Sequence, residues 1–345
     1  MDLCKKIIAL MLVLVMVLSL GACGSKNEDD ITDPNEEKTP DVVLVTDVTG
    51  LGGGGFNDLC WAGVQEACDE FDLGYYCMET REGETYATVL ENACALSPML
   101  IICAGSDMAD ALKTIASQKP EMKFAIMNAS DLGDNVTGVT FSMQDVAFLS
   151  GIVAGLKTES KIVSFIGSKE TKEQAKYQYA FSAGVLSVAS DTYVNSQYIG
   201  SYTDTETAKT IAGAHTALGS DVIFHAAGSC GQTIIEQCQS KGAMVIGCGI
   251  DQSELAPETV LCSAVRCPDV AIYDVVKRLS EGTLDGSDIA CGMEEGGIAL
   301  VDGSGNVPAE IMEVVSEYEA KIADGTLIVP VDWQTYSDYS TALAQ

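Results

Sequence analysis

The sequence predicts an α/β protein of two doubly wound lobes joined by a hinge of several chain crossings. Three observations carry that expectation. Short, continuously apolar runs alternate with amphipathic stretches, the pattern of parallel strands covered on both faces by helices. The alternation runs to about residue 127 and restarts near residue 162. The pieces after residue 260 are too few for a third lobe, so they most simply complete the first two sheets and make the chain cross between lobes several times.

The first lobe opens with Val42-Val43-Leu44-Val45, a short apolar strand. Residues 57–71 then place Cys60, Val64, Ala67, Cys68 and Phe71 on one helical stripe. Strand-like runs at 75–78, 99–103 and 124–127 alternate with helix-like runs at 84–95 and 107–117. The second set has strands at 162–166, 194–199, 222–224 and 244–246, and helices at 173–189, 205–217 and 230–240. A strand at 260–265, a helix opened by Pro268, a strand near 298–301 and a helix from Pro308 follow, with proline expected at the first helical position of both. On this reading residues 41–141 and about 267–293 form the N-terminal lobe. Residues 142–266 and about 294–330 form the C-terminal lobe, and 331–345 are a tail. Ligands of open α/β sheets bind outside the carboxyl ends of the strands. Two such sheets facing each other put those ends on both walls of a cleft.

The segment before the lobes sets the expected compartment. Lys5 and Lys6 precede an apolar stretch over residues 7–20, which suits a signal-peptide core and is short for a bilayer span. Leu20-Gly21-Ala22-Cys23 resembles the lipobox of bacterial lipoproteins, which implies a signal peptide over 1–22 and lipid on the Cys23 thiol. Residues 23–40 read as an acidic tether, with Glu28, Asp29, Asp30, Asp33, Glu36 and Glu37 and a single aliphatic residue, Ile31. Such a stretch buries too little apolar surface to offset its ordering entropy. The expected location is the extracytoplasmic face of the cell membrane, with the membrane reached through the lipid.

The net charge of −31 excludes a class of partner. A chain this acidic is repelled by phosphate backbones, so no nucleic acid is expected. The thirteen cysteines form no C-x-x-C pair and only two histidines are present, so zinc and thioredoxin-type sites find no support. Most of the cysteines are read as buried thiols acting as small hydrophobes. A Cys262–Cys267 bridge stays open on sequence alone.

From residue 41 to about 330 the sequence is similar to the basic membrane protein family of nucleoside-binding lipoproteins. The matching pieces include Leu44-Val45-Thr46-Asp47, Phe56-Asn57 with Trp61 and Gly63, and Ala147-Phe148-Leu149-Ser150-Gly151. Phe165-Ile166-Gly167, Gly200-Ser201-Tyr202, Ala226-Ala227-Gly228, Asp251-Gln252 and Glu295-Gly296-Gly297 follow in order. The resemblance implies the type I periplasmic-binding-protein fold. It also implies the substrate-binding role in an ABC importer, with permease and ATPase subunits as partners and a nucleoside, purine favoured, as ligand. By the same resemblance Phe56 and Tyr202 lie on opposite faces of a flat base, while Asp47 and Asn57 read its polar edge. Asp251 and Arg266 hold the sugar hydroxyls with the Gly228 backbone, and Ser106 and Asp107 are further candidates. The chain departs from the family at Arg266, where Lys is usual, at Tyr202, where Phe is common, and at Asn128, which often is Asp. The loop Gly50-Leu51-Gly52-Gly53-Gly54-Gly55 also departs, and literally matches G-x-G-x-x-G. Four consecutive glycines meet that pattern easily, and the favoured reading is a flexible rim that lets backbone approach a ligand.

An enzyme, for instance an exported nucleoside hydrolase, is the competing class. The sequence holds no H-E-x-x-H and no G-x-S-x-G. His215 reads as a surface residue of a helix. His225 ends a strand at the cleft, where it serves as ligand contact, packing residue or a base still in need of an orienting group. No catalysis and no cofactor are expected. A ligand sensor for a membrane receptor, or a binder of a sugar-like molecule, would carry the same sequence features.

Overall fold

In a computed structural model, residues 39–344 are described. Cys23, the signal segment and the tether up to residue 38 lie outside the described residues.

Two six-stranded sheets carry the fold. The first contains β1 (Val42–Thr46), β2 (Tyr75–Glu79), β3 (Leu100–Cys103), β4 (Lys123–Met127), β5 (Val136–Phe141) and β11 (Ile289–Cys291), in the order β11-β5-β4-β3-β1-β2. The second contains β6 (Ile162–Gly167), β7 (Tyr193–Tyr198), β8 (Val222–Ala226), β9 (Met244–Gly249), β10 (Val260–Arg266) and β12 (Ile298–Val301), in the order β12-β10-β9-β8-β6-β7. Every described pairing is parallel except β10 with β12. The alternation of strand side chains explains why the central strands are apolar throughout. Val43, Val45, Ile101, Cys103, Phe124 and Ile126 face one core, and Val42, Leu44, Leu100, Ile102, Ala125 and Met127 face the other.

Both sheets wind outward in two directions from one point. In the first, the order reverses between β1 and β3; in the second, between β6 and β8. The crevice beside such a reversal is where open α/β sheets take ligands. The residues that follow β1, β3, β6 and β8 are therefore marked by topology alone.

Helix α1 (Phe56–Glu70) follows β1, α2 (Tyr86–Ala95) and α3 (Ala109–Gln118) flank β3, and α4 (Met143–Lys157) follows β5. In the second sheet α5 (Lys172–Val188), α6 (Thr205–Ala217) and α7 (Gly231–Lys241) follow β6, β7 and β8. Helix α8 (Pro268–Ser280) leaves β10 and packs on α1, so the chain returns to the first sheet there. It passes between sheets again from β11 to β12, and once more from β5 into α4, which packs on α5 and β10.

Several elements differ from the sequence reading. Helix α4 lacks the polar face that marks an amphipathic helix, because it is buried nearly all round from Met143 to Gly155. Residues 331–345, read as a tail, contain α10 (Trp333–Leu343). Asp332 caps it by accepting from the Thr335 N–H at 2.8 Å, a signal that was present in the sequence. Pro268 opens α8 at its first turn, whereas Pro308 is the capping residue just before α9 (Ala309–Ala323). His215 is 2 % exposed, contrary to its reading as a surface residue. Its Nε2 meets Gln197 Oε1 on β7 at 3.0 Å, which explains a polar residue under the helix. Cys262 and Cys267 are both free thiols, as are the other cysteines among the described residues.

Candidate functional site

The loop after β1 is organised by three carboxylates and one carboxamide. Asp47 Oδ1 accepts from the Thr49 N–H at 2.9 Å, the Thr49 hydroxyl at 2.5 Å and Asn57 Nδ2 at 2.9 Å. Asn57 Nδ2 also donates to Thr49 Oγ1 and to the Gly50 carbonyl, each at 3.0 Å. Asn57, 5 % exposed, therefore spends its donor capacity on the loop. The paired reading of a base edge narrows accordingly. Among the described residues, no donor reaches Asp47 Oδ2 or Asn57 Oδ1, so acceptors remain.

The glycine run is held by side chains as well. Glu79 Oε2 accepts from the Leu51 N–H at 2.8 Å, and Asp58 accepts from Gly52 at 2.7 Å and Gly55 at 3.1 Å. Gly50 sits at φ +62, and a Cβ there would meet Glu79 Oε2 at 2.4 Å, which accounts for that glycine. The Gly52 N–H, more than any other group, holds the Asp58 carboxyl below its usual range. A carboxylate thus takes the N–H groups at the start of α1 that a pyrophosphate would need. This residue escaped the sequence reading, although an acid in the first turn of a helix is a common arrangement.

Phe56, the first residue of α1, is half-buried with the Arg266 guanidinium 5.6 Å from its ring centroid. Arg266 ends β10 in the other sheet, and its Nη1 donates to Asn128 Oδ1 at 3.2 Å. Asn128 follows β4 in the left-handed region at φ +63, a conformation asparagine tolerates. One arginine thus joins an aromatic ring and an amide of the first lobe to a strand of the second.

Tyr202 lies beyond β7 and is 46 % exposed. Lys169 Nζ stands 4.8 Å from its ring centroid, and Gly228 lies beside the ring at φ +55. Asp251, in the loop after β9, accepts from the Ser253 N–H at 3.0 Å, the Ser253 hydroxyl at 2.9 Å and the Ser263 hydroxyl at 3.3 Å. Ser106 and Asp107 form a single turn after β3.

A cavity of about 650 Å³ opens between the lobes, lined by Ser106, Asn128, Tyr202 and Arg266 among others. Asp47, Phe56 and Asn57 are not among its lining residues, although Phe56 meets one that is, Arg266. Asp107, Gly228 and Asp251 are not among its lining residues. Gln144, Gln174 and Tyr177, at the starts of α4 and α5, line it and were missed from sequence. Their signal was positional, since both helices begin where a strand of one of the sheets ends. A smaller cavity of about 220 Å³ adjoins Lys123 and Asn135, at the amino ends of β4 and β5, the wrong end of a parallel sheet for a ligand.

His225 does not reach the cleft. It is 1 % exposed, both ring nitrogens lack a hydrogen-bond partner, and its ring packs on Gly231. Burial pushes its pKa down to about 4, with Gln252 beside it partly opposing. Folding therefore favours the neutral ring. The associated stability is complete above the unfolded value near pH 6.5 and drains away as pH falls toward 4, by up to about 3 kcal/mol. His215, lowered by burial too, adds with the same sign. Urea midpoints at pH 7 and pH 4.5 are expected to differ less in His225→Leu than in the parent. An equal acid loss in both proteins would remove His225 from the account.

Two sheets wound from facing switch points, with a polar and aromatic cavity between them, are the architecture of a small-molecule binder. Residues 41–332 match the Bmp family, described as ABC transporter substrate-binding protein PnrA-like. The chain belongs to this family. Among similar proteins is the "CD4+ T-cell-stimulating antigen" of Listeria innocua, 29 % identical over 347 residues, covering 94 % of this chain and 97 % of that one. Another is the "ABC transporter nucleoside-binding protein BmpA" of Lactococcus lactis subsp. cremoris, 27 % identical over 351 residues, covering 94 % and 99 %. A solved ABC-transporter solute-binding protein from Aeropyrum pernix K1 superposes with a TM-score of 0.72 at 23 % identity, covering 87 % of this chain and 96 % of that one. That likeness shows the shared periplasmic-binding-protein-like fold. Bmp proteins are substrate-binding components and not enzymes, and membership implies a small ligand with permease and ATPase partners. Among the described residues, no helix is long and apolar enough to cross a membrane.

Proposed function

We propose that this Bmp protein captures a nucleoside, purine favoured, in the cleft between its lobes and presents it to an ABC permease. Lipid on Cys23 holds it at the extracytoplasmic face of the cell membrane. The observation that carries the reading is the grouping at the first switch point. Phe56 offers a ring face, Asp47 and Asn57 offer acceptors beside it, and Arg266 reaches both Phe56 and Asn128 from the second lobe. Tyr202, beside Gly228, supplies an accessible ring on the other wall. A flat, polar-edged ligand with a hydroxylated appendage fits such a set. The nucleoside-binding name of the Lactococcus relative supports the same reading.

Mass spectrometry of the protein as purified is expected to find a nucleoside, and calorimetry is expected to measure its return to the stripped protein. Nucleoside monophosphates are expected to bind at least tenfold more weakly. Lys176 at the cavity is paired with Glu173 at 2.8 Å, which leaves Arg266 as the lining cation without a carboxylate partner among the described residues. Phosphate would enter a partly desolvated cleft with that one guanidinium, already donating to Asn128, to receive its charge. Equal affinity for both forms would overturn the pocket as drawn, and a purified protein that binds no nucleoside would overturn the function.

A further inference from the structure

Three aromatic rings stand together on the surface of the second lobe. The Tyr179 ring of α5 lies 6.5 Å from that of Trp333 and 6.0 Å from that of Tyr336, centroid to centroid, and the latter two, both on α10, lie 6.2 Å apart. Trp333 is 64 % exposed, so its ring forfeits most of the burial it could gain. The connection that leads into α10 buries Val329 and Pro330 and leaves Ile328 84 % exposed. An open tryptophan beside partly covered tyrosines has the composition of a binding hot spot. Helix α5 joins this cluster to the cleft. Gln174 and Tyr177 of that helix line the cavity between the lobes. Tyr179, two residues on, projects about 200° around the helix from Tyr177, toward α10. One helix thus has the cleft on one face and the aromatic cluster on the other.

We infer that the cluster of Tyr179, Trp333 and Tyr336 is the surface by which the second lobe docks on an ABC permease; this rests on the transport reading above. Charge selects among the occupants. Residues 322–345 hold three aspartates, Asp324, Asp332 and Asp338, and no lysine or arginine. Lys176, one turn before Tyr179 on α5, is paired with Glu173 at 2.8 Å. A second copy of this chain, at a net charge of −31, is repelled, and so is an anionic lipid surface. A protein surface bearing arginine or lysine gains from the aspartates and from the open ring face of Trp333. Position selects the permease among such proteins. A permease has to tell the loaded binding protein from the empty one. Closure moves the second lobe against the first, and a partner seated on the cluster touches the helix whose other face lines the cleft. Docking there can follow closure without any contact to the ligand.

Trp333→Ala and Ile328→Glu, each in the full chain, test the surface by nucleoside uptake into cells that hold no other copy. Uptake is expected to fall at least tenfold in Trp333→Ala, the scale of a lost hot-spot aromatic, and to fall in Ile328→Glu as well. Calorimetric affinity for nucleoside is expected to stay within about twofold of the parent in both, because neither side chain lines the cavity. Trp333→Phe, which keeps a ring, is expected to retain most of the uptake. Emission gives a direct readout. The chain has two tryptophans, so Trp61→Phe leaves Trp333 alone. Its emission is expected to move to the blue when the detergent-solubilised permease–ATPase complex is added, and to stay in place with vesicles of phosphatidylcholine and phosphatidylglycerol. Parent-like uptake in both Trp333→Ala and Ile328→Glu overturns the proposal. A blue shift with vesicles alone gives the face to the membrane, and a dimer in sedimentation that Trp333→Ala dissolves gives it to a second copy; either result overturns it. A sharp fall in the melting temperature of Trp333→Ala, with parent-like uptake in Ile328→Glu, makes the ring a packing residue and overturns it too. A parent that carries no nucleoside overturns the transport reading, and the emission shift then decides the surface by itself.

Discussion

Tyr202→Ala is expected to weaken nucleoside binding by about thirtyfold to more than a hundredfold, roughly 2–3 kcal/mol from lost stacking and burial together. The same change is expected to leave the unliganded melting temperature nearly where it was. The ring is 46 % exposed, and the lysine at 4.8 Å covers one side of it, so little packing is lost with it. A base between Tyr202 and Phe56 would touch one ring from each lobe, and only closure brings both to stacking distance. Affinity and closure are then one free energy observed in two ways. Calorimetry, with thermal melts in the presence and absence of nucleoside, separates this from a structural role. A sharp drop in the unliganded melt, or a ligand-induced shift as large as the parent's, would refute the clamp.

Gly184→Ala is expected to be the more damaging change to the fold. Helices α4 and α5 meet backbone to backbone. A Cβ on Gly184 would lie 2.0 Å from the Phe148 carbonyl oxygen and 3.0 Å from the Gly151 Cα. From the opposite side, a Cβ on Gly151 would lie 2.2 Å from the Phe181 carbonyl oxygen. Neither clash can be relieved by a side-chain rotation, so the helices must separate and their buried surfaces lose contact. The expected cost is about 3 kcal/mol or more, at the upper end of overpacking effects. That corresponds to a fall in melting temperature of roughly 6–12 °C. Gly213→Ala on α6 is the control. Its nearest neighbour would be the end of the Gln237 side chain at 3.1 Å, which can swing away, and alanine is the better helix former by about 1 kcal/mol. Equal melts for the two variants would refute the close-contact account. Because α4 also carries the chain out of β5 toward the second sheet, Gly184→Ala is a perturbation of the lobe junction as well as of a core.

The contrast between these two sites follows how each is encoded. Phe56 directly follows a glycine run and Tyr202 follows Gly200-Ser201, both outside any apolar run, and that placement marks them in the sequence as candidates for exposure. Gly151 and Gly184 stand inside helices, where a glycine by itself says only that propensity is locally poor. Their meaning depends on a partner helix about thirty residues away in the chain.

The alternation of short apolar strands with helices, its restart near residue 162, and the loops at the strand ends are legible in the residue order. These are local properties, because periodicity and burial on both faces are written into consecutive residues. Tertiary structure alone decided what each polar group at those ends has left to offer. Asn57 spends its nitrogen on Asp47, Thr49 and Gly50, and Asp58 fills the glycine loop in place of a phosphate. Asn128 turns its nitrogen to the cleft because Arg266, 138 positions later in the chain, holds its oxygen. His225, at the end of a strand, is buried behind Gly231 and does not face the cleft. The physical reason is the same in each case. A hydrogen-bonding group has a fixed number of donors and acceptors, and only the folded chain brings together the partners that use them up.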